Sequence, residues 1–246
     1  MNPHHTATIS PSVLDRARAV WSRLAGAAAT FTPDRTNVTV APASRLSPPG
    51  WTAVVVLGDS ALVTVPDTRT ADLVSTALRG LSAGQLADTD RLHARLPYLD
   101  ILGPARLLFL IPALFRPVLA PGAEQTSSDD PALLALLDRC GLGDADESAL
   151  SDITSTARVV REDGEIVAAA GHELWPRGVA HLSILTDPRF RRRGLATAVA
   201  SAAVTDALGQ GLFPQWRARS LASRKVAHTL GFQEAGFQLS LRLTED

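Results

Sequence analysis

Residues 183–200, Ser-Ile-Leu-Thr-Asp-Pro-Arg-Phe-Arg-Arg-Arg-Gly-Leu-Ala-Thr-Ala-Val-Ala, constrain the fold more than any other part of the chain. Val179 to Thr186 alternates apolar with small or polar residues and is rich in strand formers, which predicts a strand. Pro188 has no N–H to give to a ladder, so that strand ends near Asp187. The four arginines between Arg189 and Arg193 are charged and must face water or an anion. Gly194 then opens a run of Ala, Leu, Thr and Val at helical spacing, predicting a helix to about Leu208.

A strand, a short basic turn and a helix in that order make a specific kind of place. The first N–H groups of a helix have no partner inside it, and the helix dipole makes that end positive. Backbone donors there bind an anion. Gly194 and Ala196 carry little or no side chain, so a bulky diphosphate can come close to the backbone. Arg191, Arg192 and Arg193 add positive charge. Other phosphate sites fit worse. The chain has no G-x-x-x-x-G-K-[ST], its single lysine, Lys225, lies elsewhere, and no G-x-G-x-x-G follows a strand. The plain alternative for Arg189–Arg193 is a solvated basic turn, the usual fate of a charge run.

Arg191-x-x-Gly194-x-Ala196, after a strand ending in Asp187-Pro188, resembles the acetyl-CoA-binding signature of the GCN5-related N-acetyltransferases, R/Q-x-x-G-x-G/A. A helix over Ser220–Leu230 followed by Gly231-Phe232 resembles the C-terminal part of the same fold. The resemblance covers roughly residues 130–246 and leaves the N-terminal third outside it. It implies an α+β fold with three layers, α/β/α, around a mixed central sheet. The domain division expected from it is an N-terminal α+β region over residues 1–103 and an acetyltransferase domain over 104–246.

Composition narrows the partners. At 246 residues the chain holds one large or two small domains. A net charge of −1 argues against a general nucleic-acid binder. The single Cys140 excludes an intrachain disulfide framework and a multi-cysteine metal site. Leu107–Leu119 is apolar but short and broken by Pro112, Arg116 and Pro117, so it reads as buried protein and not as a membrane span. Met1–Ser10 shows no secretory pattern, and the expected compartment is the cytoplasm. Abundant Arg and Ala with almost no Lys suggest a high-GC bacterial genome.

Along the chain, residues 1–10 read as a disordered tail, and His4 and His5 are too few and too terminal for a metal site. Ser10 or Ser12 caps a helix to about Ala29, with Val13, Leu14, Ala17, Val20, Trp21 and Leu24 as its buried face. Thr36–Val40 is a strand. Ala53–Leu57 and Ala61–Val65 form a hairpin around Gly58-Asp59-Ser60. Helices are expected over Thr68–Leu81 and Gly84–Leu96, and a buried strand over Arg106–Ile111. Ala120–Ser128 reads as a polar, flexible connection. Asp129 or Asp130 caps a helix from Pro131 to Cys140, and a second runs from Asp144 to Ile153. Strands follow over Thr156–Arg161 and Ile166–Leu174 and, after the long helix, over Phe213–Trp216. Phe232–Gly236 and Phe237–Leu243 are expected to close the sheet as a hairpin.

The resemblance also implies site residues. In the family the pantetheine arm adds to the sheet through backbone groups at the end of the fourth strand, which carries over to Ile184, Leu185 and Thr186. The pyrophosphate site maps to Arg191, Arg192, Arg193, Gly194, Leu195 and Ala196, with Thr197 adding a hydroxyl. Many members have an asparagine where this chain has Ser220, which still hydrogen-bonds. Many carry a thiolate-protonating tyrosine where this chain has Ala227. His228 is adjacent but points about 100° around the helix, which leaves water or Ser223 for that task. An acetyltransferase needs its acceptor amine neutral, often through a base. The candidates are His181, for its intrinsic pKa of about 6.5, and Glu173. Their plain alternatives are a satisfied sheet histidine and a solvated carboxylate. Trp175 and Trp216 are candidates for an acceptor pocket or for core packing.

The activity implied is an acyltransferase reaction, acetyl from acetyl-CoA to an unidentified amine, with no nucleic acid and no membrane partner, in a monomer or homodimer. The rival is a non-catalytic acyl-CoA-binding regulatory or interaction module of the same fold.

Overall fold

The computed structural model describes residues 9–119 and 122–244. Most of the tail expected over residues 1–10, and Ala120 and Pro121 of the expected connection, lie outside them. The chain divides into two compact units. One runs to Leu107 and resumes at Glu234; the other is Leu108–Gln233.

The first unit begins with α1 (Pro11–Leu24), where the Val13 N–H donates to Ser10 Oγ at 3.4 Å and Val13, Ala17, Val20, Trp21 and Leu24 are buried. β1 (Thr36–Val40) lies parallel to β3 (Ser60–Val65), which pairs antiparallel with β2 (Thr52–Leu57). α2 (Thr68–Ala77) is capped by Asp67. The single helix expected over Gly84–Leu96 is instead a 3-10 segment, Ala83–Ala87, and α3 (Thr89–Arg95). Asp88 divides them, because its carboxylate takes the Arg91 N–H and starts a new helix. Leu86 and Leu92 are fully buried in one cluster with Val54, Val56 and Val63. β4 (Tyr98–Phe109) is longer than expected and ends in the second unit.

The second unit carries the anticipated motifs. β5 (Ala123–Thr126) pairs with β6, correcting the expectation of a flexible connection. Its sequence, Ala-Glu-Gln-Thr, has no apolar pattern, and it becomes a strand because β6 offers it an edge. α4 (Pro131–Ser148) is interrupted at Gly141, whose φ of 77° and ψ of 162° are not helical. The helix expected to reach Ile153 stops at Ser148; Ala149 turns left-handed and a single 3-10 turn, Leu150–Asp152, follows. β6 (Ala157–Glu162), β7 (Glu165–Trp175) and β8 (Val179–Thr186) run antiparallel, with Glu173 opposite His181. α5 (Leu195–Gly209) crosses back, so β9 (Phe213–Ala218) is parallel to β8. α6 (Leu221–Thr229) follows.

Side-chain parity makes three layers in this unit. Ala180, Leu182 and Ile184 of β8 pack with Val199, Ala203 and Val204 of α5 and Ala227 of α6. Leu185 points the other way, to Leu133 and Leu136 of α4. The fold is therefore the α+β class expected, with α/β/α layering around a mixed sheet.

The last strand returns to the first unit. β10 (Gln233–Leu243) is one continuous strand beside β4, antiparallel to β2, and not a hairpin. Gly236 looked like a turn but sits opposite Leu57 inside the ladder. Its lack of a side chain serves close approach, since a Cβ there would collide with the Val56 carbonyl oxygen. Among the described residues, no helix is long and apolar enough to cross a membrane, and no group of three or more His, Cys, Asp or Glu could hold a metal ion.

Candidate active site

β8 and β9 are paired over only three residues, Val179–His181 against Phe213–Gln215. Beyond that point β8 runs to Thr186 and β9 to Ala218 with no ladder between them. The fork opens a cavity of ≈ 660 Å³. On its other side β8 stays paired to β7, and the Asp187 N–H donates to the Val167 carbonyl. An antiparallel ladder alternates its bonded pairs. His181, Ser183 and Leu185 therefore direct their backbone groups to β7, while Leu182, Ile184 and Thr186 turn theirs to the open side. Of the three residues expected to offer backbone groups, Ile184 and Thr186 do so, and Leu185 does not. The Thr186 hydroxyl is also buried with no partner among the described residues.

The turn after β8 forms the adjoining wall. Asp187 is buried, accepts the Arg189 N–H at 2.9 Å and is held well below the usual carboxylate range, chiefly by the Arg189 side chain. Gly194 is the N-cap of α5 at φ 81°, a left-handed conformation that favours glycine, and no side chain caps the helix. The first N–H groups of α5 are thus unused, and Gly194, Leu195, Ala196 and Thr197 all line the cavity. The arginines do not act as one patch. Arg191 donates to Asp144 at 2.6 Å and to the Thr186 carbonyl at 3.3 Å. Arg193 donates to Glu162 at 3.1 Å and does not line the cavity. Arg192 lines it and makes no hydrogen bond or ion pair among the described residues.

His181 sits at the fork. It is buried at 5% exposure, stacked on Trp175 with ring centroids 4.1 Å apart, and its Nδ1 is hydrogen-bonded to Gln215 Oε1. Burial, reinforced by the nearby Arg217 charge, pushes its pKa down to about 3. The near-neutral titration that recommended it is absent, and the ring is neutral at physiological pH. Glu173, half-buried opposite His181, accepts the Trp175 Nε1–H at 2.7 Å and does not line the cavity.

On the far arm, Ser220 caps α6 by accepting the Ser223 N–H at 3.1 Å, and Ser223 Oγ accepts the Trp216 Nε1–H at 2.9 Å. Both serines and Trp216 line the cavity; Ala227 is buried in the core and cannot reach it. His228 instead turns its Nδ1 to the Phe232 carbonyl. Sequence reasoning missed Asp144 and Glu147, which project from α4 beyond Gly141, and Gln215 and Arg217 of β9. Asp144 and Glu147 bind Arg191 and Arg219. The only sequence signal for them was an acidic pair three residues apart on an expected helix.

The arrangement is a forked parallel strand pair with an uncapped helix N-terminus at its mouth. Residues 158–236 match the family model for GNAT acetyltransferases, a span that contains the fork and the β8–α5 turn. A protein of the GNAT family from Novosphingobium aromaticivorans has a similar structure, with a TM-score of 0.50 at 20% identity over 60% of this chain and 67% of that one. A GCN5-related N-acetyltransferase-like protein from Streptococcus suis gives a TM-score of 0.49 at 15% identity over 94% of this chain and 98% of that one. No curated protein matches. The resemblance read from the sequence is matched by that family model over residues 158–236.

Proposed function

We propose that the protein transfers the acetyl group of acetyl-CoA to an amine by direct attack. The observation that carries this reading is the fork. It leaves Ile184 and Thr186 with backbone groups facing a cavity whose other end is the uncapped start of α5. The pantetheine amides would pair with that strand edge, and the diphosphate would take the N–H groups of Leu195, Ala196 and Thr197, with Arg192 as a nearby cation that has no ion pair among the described residues. The amine nitrogen forms a bond to the thioester carbonyl carbon, the C–S bond breaks and CoA leaves as thiolate, which takes up the proton that the nitrogen gives up. No covalent enzyme intermediate is needed; burial pushes the Cys140 thiol up, away from a reactive thiolate.

A second reading, a non-catalytic acyl-CoA-binding module, is favoured by one observation. The position where many relatives place a proton donor is Ala227, buried in the core. The test is release of free CoA from acetyl-CoA in the presence of a panel of small amines, amino acids and peptides, alongside calorimetric binding of acetyl-CoA. Amine-dependent release supports the enzyme. Binding without release supports the module, and the absence of binding removes both.

A further inference from the structure

The last residue pair before β8 and β9 part, His181 opposite Gln215, is polar on both strands. Gln215 is wholly buried. Its Oε1 meets His181 Nδ1, and an amide oxygen can only accept, so Nδ1 is the ring nitrogen that carries hydrogen. Trp175 lies nearly parallel over the ring, 20° between planes, and holds it against rotation. The ring lines the cavity and its Nδ1 faces buried Gln215, so Nε2 with its lone pair is the nitrogen left for the cavity.

We propose that Gln215 is a positioning residue that fixes His181 as the Nδ1–H tautomer, so that Nε2 accepts a hydrogen bond from the N–H of the acceptor amine at the fork. The role in acceptor binding rests on the reading under Proposed function; the tautomer does not. Because burial keeps the ring neutral, His181 stores no proton. It is a fixed acceptor that selects and orients a group with an N–H to donate. Gln215 itself never reaches the acceptor.

The experiment is a multiple-bond 1H–15N correlation spectrum of the histidine rings, of which the chain has 6. His181→Asn identifies the signal. In the wild type the His181 hydrogen resides on Nδ1. In Gln215→Met, of similar length but without the amide, that population is lost to the Nε2–H form; Gln215→Glu, which keeps an acceptor oxygen, retains it. A wild-type spectrum showing Nε2–H overturns the proposal even if the Met variant fails to fold, because it means that the amide donates to Nδ1. An Nδ1–H signature unchanged in Gln215→Met overturns it as well. With an amine that turns over, Gln215→Met raises that amine's KM by about tenfold, the worth of one hydrogen bond, and leaves the KM for acetyl-CoA unchanged; equal amine KM values defeat the acceptor role. Calorimetry with acetyl-CoA on the same samples tests the substrate separately. Failure there with the Nδ1–H signature intact removes the acetyl-CoA reading and the acceptor role, and leaves the tautomer assignment standing.

Discussion

Replacing Ala196 by glutamate separates stability from ligand binding. Ala196 is the second residue of α5, half-buried on the cavity wall, in a helix that no side chain caps. A carboxylate in that first turn meets the positive end of the helix dipole and stabilises the ligand-free protein by about 0.3–1 kcal/mol. The same charge faces a bound diphosphate. At about 5 Å and an effective dielectric constant of about 20, one unit of like charge costs about 3 kcal/mol, more than a hundredfold in affinity. Acetyl-CoA at about 100 times its Kd stabilises the wild type by about 2.7 kcal/mol, and a hundredfold weaker ligand at that concentration contributes about 0.4 kcal/mol. Thermal melts with and without acetyl-CoA should therefore show a clear upward shift for the wild type. For Ala196→Glu the ligand-free Tm should be equal or higher and the shift nearly absent. Ala196→Gln fills the same space without charge and should keep most of the shift. Gly194 is the poorer target, because any side chain there meets a φ of 81° and strains the fold itself. A full acetyl-CoA shift in a well-folded Ala196→Glu would show that the diphosphate does not lie at α5.

Three further outcomes follow from the packing. The His181 pKa is about 3 in the folded protein against an ordinary 6.5, so the unfolded chain takes up the proton first and stability falls as pH drops below about 6.5, by about 1.4 kcal/mol per unit. Urea midpoints of His181→Asn between pH 6.5 and 4 should decline less steeply than the wild type's, though not flatly, since His172 is shifted the same way by burial; equal slopes contradict the assignment. Gly231→Ala puts a Cβ into the Leu114 carbonyl oxygen at φ 95° and should destabilise by more than about 2 kcal/mol, whereas Gly209→Ala, at the last residue of α5 with open space around it, should gain up to about 0.5 kcal/mol; denaturant midpoints distinguish them. Arg158 holds Asp206 through two bonds of 2.6 and 2.7 Å, tying β6 to α5, and with both side chains 26% exposed Arg158→Met should cost about 1–3 kcal/mol by the same measurement.

The turn at Asp187–Ala196 was legible because its determinants are local. Pro188 ends a strand, Gly194 takes a left-handed φ and the apolar period names the helix. What the turn's charges do was not legible. Asp187 is local, but Asp144 and Glu162 come from α4 and β6, and between them the three acids engage Arg189, Arg191 and Arg193. A run of four arginines thus reduces to one, Arg192, that faces the cavity without a partner. The fork was hidden for a similar reason. Val179–Thr186 has the same pattern whether its second edge is paired or open, and only the placement of β9 shows that pairing stops at His181. Gln215, 34 residues from His181, decides which ring nitrogen carries hydrogen, and burial by surroundings that include Trp175 and Arg217 removes the near-neutral pKa that the histidine alone suggested. The same holds for Gly236, where a turn-like residue proves to be a contact with Val56. Local signals therefore identify where an anion can bind. The acceptor contact proposed above is assembled from His181 and Gln215, which are distant in sequence, so its test lies in the side chains at the fork more than in the signature that announces the fold.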